Sequence, residues 1–196
     1  MINPKHGILL VRHPLIRLYS AWAHRLSDSQ PHHKRFFARQ IKYINKYHQK
    51  KSDKPIPRHL HVSFPAFLRF VSTERAHQRP MQDVHWWRIE KRCHVCELVD
   101  YYEFIVKTET ANQDCEVFLQ NIRKNWTGKL LGAYTKNKSS GKSLGPVKQT
   151  SDIQKHIEDI QKYYREEISA NIVKSVYQRY QWDFKFFGYD LDGFLK

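Results

Sequence analysis

No stretch of this 196-residue chain approaches the ~20 consecutive apolar residues of a membrane-spanning helix, and no apolar signal core follows Met1. Neither an anchor nor a signal peptide is expected within these residues. Acidic side chains are the second scarcity: 19 Asp and Glu face 34 Lys and Arg, for a net charge of +15. The partner should therefore be polyanionic, and nucleic acid, anionic lipid and acidic polysaccharide all qualify. No nucleic-acid-binding motif is recognisable and the aromatics sit mainly at core spacing, which disfavours the first. Internal repeats and a clean domain boundary are also missing, so one domain is expected; a hydrophobic content of 40% argues against disorder.

Cysteine is scarce, with three in all. In an oxidising lumen Cys93 and Cys96 would close a disulfide with each other or with an absent partner; in the cytosol they would make half of a zinc site. His61, His85 and His94 are available as further ligands, but 12 histidines make that coincidence weak and no metal is expected. Cys115 falls at helical spacing with Phe118, Leu119 and Ile122 and is expected as a core thiol. Asn125-Trp-Thr and Asn137-Lys-Ser match the glycosylation tripeptide and, like the cysteine pair, point to the secretory pathway.

What is present is a short apolar run, Gly7 to Val11, followed by Pro14 and then Leu15, Leu18, Tyr19 and Trp22 at helical spacing. This reads as strand, turn and helix, with the proline in the first helical turn. Arg12 closes the strand and Ser20 lies eight residues on, so a guanidinium fork and a hydroxyl can face one anion at the carboxyl edge of a sheet. The competing reading is an arginine capping a sheet edge and a serine on a solvated face. Basic residues cluster between positions 30 and 61, where Lys34, Arg35, Arg39, Lys42, Lys46, Lys50, Lys51, Lys54 and Arg58 face Asp53 alone.

Further along, Ser63 can cap a helix whose Phe64, Phe67, Leu68 and Val71 form one apolar stripe. Residues 80 to 96 lack a period and read as a structured loop. Phe104 to Val106 makes a second strand ending in Lys107. Thr110 with Gln113 and Ser151 with Gln154 fit capping boxes, and the second helix carries Ile153, Ile157, Ile160, Ile168, Ile172 and Val176 on to Tyr180. Between these helices lies a Gly, Ser and Lys-rich loop.

Taken in order, "LLVRHPLIRLYSAW", "VSFPAFLRFV", "HWWRIEKRCHVCELVDYYEFIVKTET", "AYTKNKSS" and "YQRYQWDFKFFGYDLDGFLK" resemble the Golgi carbohydrate sulfotransferases, the group of the chondroitin 4-O-sulfotransferases and the HNK-1 sulfotransferase. The resemblance implies an α/β, P-loop-like sulfotransferase fold with a short parallel sheet flanked by helices. Residues 1–196 would be the C-terminal part of a single domain, lacking the N-terminal phosphate-loop strand and leaving strand 7 to 11 without a neighbour. It implies 3′-phosphoadenosine 5′-phosphosulfate as co-substrate, Arg12 and Ser20 on its 3′-phosphate, and an acidic glycan acceptor such as chondroitin or dermatan. His85 is the candidate base; Glu109 is a weaker one that better suits an orienting role. Lys136, Lys138 and the basic residues from 34 to 58 would serve the acceptor. The full-length protein would be anchored in the Golgi membrane and face its lumen. His13 and Thr108 depart from the family pattern, where acidic and aromatic residues are usual, and both changes are expected to weaken donor binding. A catalytically incomplete fragment and a basic polyanion-binding module are the two other readings.

Overall fold

The computed structural model describes residues 7–26, 35–51, 53, 61–125 and 150–195. Strand β1 (Gly7–Val11) and helix α1 (Pro14–Arg25) open the chain as the periodicity predicts. They are followed by α2 (Ala38–Tyr47), α3 (Phe64–Val71), a 3₁₀ turn at Glu74–His77, the short α4 (Ile89–Arg92) and a second 3₁₀ turn at Val99–Tyr101. Strand β2 (Tyr102–Lys107) and helices α5 (Ala111–Asn125), α6 (Thr150–Glu167) and α7 (Ala170–Phe187) complete the order. The fold is α/β and rich in helix.

β1 and β2 pair in parallel, from Ile8 opposite Phe104 to Val11 opposite Lys107. β1 therefore has a neighbour along one edge, contrary to the sequence expectation; among the described residues its other edge is unpaired. The strand begins at a glycine for a steric reason: a Cβ on Gly7 would lie 2.4 Å from the Tyr101 ring and 2.8 Å from its carbonyl oxygen. Successive side chains alternate between faces. Leu9 and Val11 pack on Ile89, Val95 and Phe187 in a small core beneath the sheet, while Ile8 and Leu10 face outward and are exposed. α5 covers that outer face only over β2, where Phe118 meets Phe104 at 4.9 Å in a T-shaped pair.

Cys115 is exposed on α5 and is not a core thiol. The face of α5 turned to the sheet carries Ala111, Asp114 and Phe118, all half-buried, and Cys115 follows Asp114 by one residue, about 100° around the helix. The Thr110 capping box is also revised. The Thr110 hydroxyl donates to Asp114 Oδ2 at 2.8 Å, and that oxygen accepts the Lys107 N–H at 2.9 Å, so Asp114 and not Gln113 ties the helix to the strand end.

The main core is built around α3. Ser63 caps it, its hydroxyl accepting from Ala66 N–H at 3.3 Å, with Pro65 in the first turn. The predicted single stripe proves too narrow: Phe64, Ala66, Phe67, Leu68, Phe70 and Val71 are all buried, because α1, α2 and α7 surround the helix. Polar tips of the large aromatics find backbone partners inside this core, as buried Trp and Tyr require. Trp22 Nε1 donates to Val62 O (2.8 Å), Trp86 Nε1 to Ala76 O (3.2 Å), Tyr164 OH to Leu15 O (3.0 Å) and Tyr180 OH to Trp86 O (2.5 Å).

The long helix expected from Ser151 to Tyr180 is two. α6 starts one residue before Ser151 and ends at Glu167, and Ser169 takes an extended conformation before α7. Ile160, Tyr164 and Ile168 bury themselves at four-residue steps, but the next buried residue, Val173, lies five further on. That step breaks the helical phase, so one straight rod cannot bury both sets. α7 ends at Gly188, whose φ of 60° suits the left-handed C-cap.

His77 is buried between these layers, with Nε2–H donating to Val71 O at 2.8 Å and no partner for Nδ1. Burial is the main cause that lowers its pKa from 6.5 to about 4. Because the folded value lies below the unfolded one, His77 stabilises the fold above pH 6.5, and this contribution is lost as pH falls through about 4. The urea midpoint should therefore drop between pH 6.5 and 4, and His77→Gln should flatten that drop while lowering the midpoint at neutral pH. Equal slopes for the two proteins would remove His77 as the acid-sensitive group.

Candidate active site

Arg12 stands at the carboxyl end of β1 and Thr108 at that of β2, and Thr108 N–H extends the ladder by donating to Val11 O at 2.9 Å. The half-buried guanidinium is held by neutral groups: Nε donates to Thr108 Oγ1 at 3.1 Å and Nη1 to Ser20 Oγ at 3.4 Å. Sequence spacing anticipated the nearness of Arg12 and Ser20, and the structure brings them together. Among the described residues no carboxylate lies within ion-pair distance of Arg12. A cation fixed at a strand end, with neutral partners on two of its nitrogens, is a ready receptor for an anion. At the α1 N-terminus Pro14 has no N–H, Leu15 N–H donates to His13 Nδ1 and Arg17 N–H to His13 O.

His13 locks the other side of this junction. Its N–H donates to Glu109 Oε1 at 2.8 Å, and the Tyr189 hydroxyl donates to Glu109 Oε2 at 3.1 Å. Because Nδ1 accepts from Leu15, the ring is the Nε2–H tautomer, and that proton is donated to Asp190 O at 2.9 Å. The ring stacks on Phe194 at 4.6 Å and meets Phe184 and Tyr189 edge-on. Burial holds its pKa below 6.5, against the pull of the Asp190 carbonyl and Glu109. Lys107 adds a further tie, with Nζ 3.4 Å from Gly188 O and 4.7 Å from the Tyr189 ring centre. Glu109 thus braces His13 against Tyr189.

His85 sits elsewhere. Asp83 Oδ1 accepts both its backbone N–H (2.9 Å) and its Nδ1–H (2.5 Å), while Nε2 faces Arg25, 3.1 Å from Nε and 2.7 Å from Nη2. The sequence reading missed Asp83 and Arg25; the Asp-x-His spacing was the available signal for the first, and none marked the second. Burial pushes the Asp83 carboxyl up, but the two His85 hydrogen bonds and the Arg25 charge outweigh it and leave the group below its ordinary value. Ser20 precedes Arg25 by five residues on α1, roughly 7.5 Å along the axis and about 140° around it. Arg12, through Ser20, and His85, through Arg25, therefore meet different turns and sides of one helix.

The segment carrying His85 is anchored by Asp183 on α7. Its fully buried carboxylate accepts from Ile89 N–H (2.9 Å), Glu90 N–H (2.8 Å) and Arg17 Nη2 (3.1 Å), and Arg17 Nη1 donates to Trp87 O at 2.9 Å. Burial raises the Asp183 carboxyl above the usual range, opposed by Arg17 and the two amides.

Of the two pairings open to Cys93 and Cys96 in an oxidising lumen, the one with each other is not formed: both are thiols. Cys93 packs on the core beneath β1, Cys96 is exposed, and His94 between them takes a positive φ of 50°. Burial raises the Cys93 thiol pKa. Among the described residues no group of three His, Cys, Asp or Glu is placed to hold a metal ion, and no helix is long and apolar enough to cross a membrane. Lys136 and Lys138 lie outside the described residues, as do Lys34, Lys54, Arg58 and Asn137.

The fold is α/β, with Arg12 held by Thr108 and Ser20 at the carboxyl edge of a parallel pair of strands. Residues 5–190 match the Sulfotransferase family, and the chain belongs to it. It is similar to human carbohydrate sulfotransferase 9, 28% identical over 121 residues that cover 62% of this chain and 26% of that protein. Mouse carbohydrate sulfotransferase 11 is 24% identical over 190 residues, covering 96% of this chain and 48% of the relative; human carbohydrate sulfotransferase 14 is 27% identical over 115 residues, 59% and 28% respectively. The chain spans at most about half the length of these relatives. No solved structure matches.

Removing Asp183 would leave Arg17 unpaired and two amides without an acceptor. Asp183→Ala should lower unfolding stability by about 3 to 5 kcal/mol, as loss of one partner of a buried ion pair does. Denaturant unfolding checks this, and a cost below ~1 kcal/mol would show that solvent replaces the network.

Proposed function

We propose that this chain supplies the 3′-phosphate and acceptor side of a carbohydrate sulfotransferase that uses 3′-phosphoadenosine 5′-phosphosulfate and sulfates a hydroxyl of an acidic glycan, chondroitin and dermatan being the candidate acceptors. The observation that carries this is Arg12, braced by Thr108 and Ser20 and without a carboxylate partner among the described residues. Thr108 accepts from Arg12 Nε, so the departure from an aromatic residue there aims the guanidinium, and His13 braces the junction from inside. Neither substitution removes an anion-binding group.

In this reading Arg12 and Ser20 hold the 3′-phosphate. The sulfur lies at the far end of the donor, beyond the ribose, so a base placed away from Arg12 suits this co-substrate. His85 Nε2 takes the proton of the attacking sugar hydroxyl. The hydroxyl oxygen forms its bond to sulfur as the bond between sulfur and the bridging phosphate oxygen breaks, and adenosine 3′,5′-bisphosphate leaves with the electron pair. Asp83 keeps the imidazole in the Nδ1–H tautomer and stabilises the imidazolium that forms. Lys136, Lys138 and the basic α2 region serve the acceptor. A Golgi membrane location, facing the lumen, belongs to the same proposal for the full-length protein.

Arg12→Ala should weaken adenosine 3′,5′-bisphosphate binding to the full-length protein by roughly 1.5 to 3 kcal/mol in calorimetry, the scale of a charge-assisted contact. His85→Asn should leave that affinity unchanged and lower kcat by about 10² to 10⁴ in a labelled-donor assay. Unchanged affinity in the first variant, or unchanged turnover in the second, would remove the residue from its role.

A further inference from the structure

We infer that the outward face of α2 is a docking strip for a polyanionic stretch of the acceptor glycan that lies away from the reacting sugar. The inference rests on the reading of the acceptor as an acidic glycan. Arg39, Lys42 and Lys46 stand at i, i+3 and i+7 on α2, and at 100° per residue they share one arc of about 60° that runs roughly 10 Å along the axis. All three are exposed, and among the described residues no carboxylate pairs with any of them; Lys46 Nζ lies 4.9 Å from the Tyr47 ring centre. Lys50 and Lys51 follow the helix and are exposed as well. Asp53, the one acid between positions 30 and 61, is engaged by Arg69.

This face is unlike an ordinary solvated helix surface. Like charges three and four residues apart repel one another along it. α2 also has no acid in its first turn and no side-chain N-cap, and Arg39 puts a cation at the positive end of the helix dipole. α6 shows the usual mixture, with exposed Asp152, Glu158, Asp159 and Glu166 beside Lys155 and Lys162. An anion laid along α2 offsets both the repulsion and the dipole. The strip lies about 150° round the helix from the buried Gln40 and Ile44. Gln40 Nε2 donates to Pro80 O at 3.4 Å, and the ring of the N-cap residue Phe37 lies 5.7 Å from that of Trp86, so the buried side of α2 is the one that touches the segment carrying His85. The strip faces the other way, and the sugar it holds is therefore a different ring of the chain from the one at His85. A polymer meets several of these cations at once and a disaccharide only one or two, so affinity grows with chain length.

Calorimetry of size-defined chondroitin sulfate oligosaccharides with the full-length protein tests the strip without requiring turnover. At low salt a dodecasaccharide should bind at least tenfold more tightly than a disaccharide. The triple variant Arg39→Gln, Lys42→Gln, Lys46→Gln, which keeps good helix formers on α2, should lose about tenfold in dodecasaccharide affinity and show a shallower fall with added salt. The triple variant Lys155→Gln, Lys162→Gln, Lys174→Gln removes the same charge from exposed positions of α6 and α7 and should bind as the wild type does. Wild-type affinity in the α2 variant, or equal losses in the two variants, would overturn the strip. A thymidylate oligonucleotide of equal charge that bound more tightly than the dodecasaccharide, and did so through the same three residues, would overturn the glycan as its occupant. A wild-type protein that binds the dodecasaccharide through α2 yet sulfates no glycan would instead refute the proposed reaction and leave the strip standing.

Discussion

The buried carboxylate of Asp183 is the interaction on which the arrangement of this molecule depends. It sits on α7 within the main core, yet its partners are Arg17 of α1 and the first two amides of α4, which follow the His85 segment. A carboxylate with no access to water must have its lone pairs met by donors, and only one relative placement of α1, α4 and α7 does so. The network therefore sets the position of the 83–90 segment against α1. It does so through groups that take no part in the proposed transfer.

α1 is consequently a shared rod. At its start His13 meets the C-terminal segment, past its middle Ser20 meets Arg12 at the strand end, and at its end Arg25 meets His85. Between them Arg17 ties the rod to α7, and Leu15 and Leu18 bury its underside. A shift of α1 would move Ser20 and Arg25, and with them both ends of the candidate site, together. The C-terminal residues act in the same sense: Tyr189, Asp190 and Phe194 fold back on His13, so the last turn of the chain stiffens its first junction.

The small sheet contrasts with this rigid centre. β1 buries Leu9 and Val11 on one face and exposes Ile8 and Leu10 on the other, and its backbone is paired along one edge among the described residues. Arg12 and Thr108 are nevertheless held in place by the parallel register itself and by the Thr108 to Val11 bond.

Local pattern was enough to read the strand, turn and helix at the start, the Ser63 cap, the second strand and the nearness of Arg12 to Ser20, because each depends on residues within one or two elements. The same reading made α6 and α7 one helix, although the five-residue step from Ile168 to Val173 was visible, since hydrophobic content hides a change of phase. It placed Cys115 in a core and left the pairing of Cys93 and Cys96 open, because spacing along a helix or loop does not say which direction faces a neighbour. The residues it overlooked, Arg25, Asp83, Arg17 and Asp183, acquire their meaning from partners up to 166 positions away. Composition and periodicity determine which segments are buried and which are charged. Which donor meets which acceptor is decided only when packing removes water, since a buried polar group must then find its partner wherever the chain has brought one.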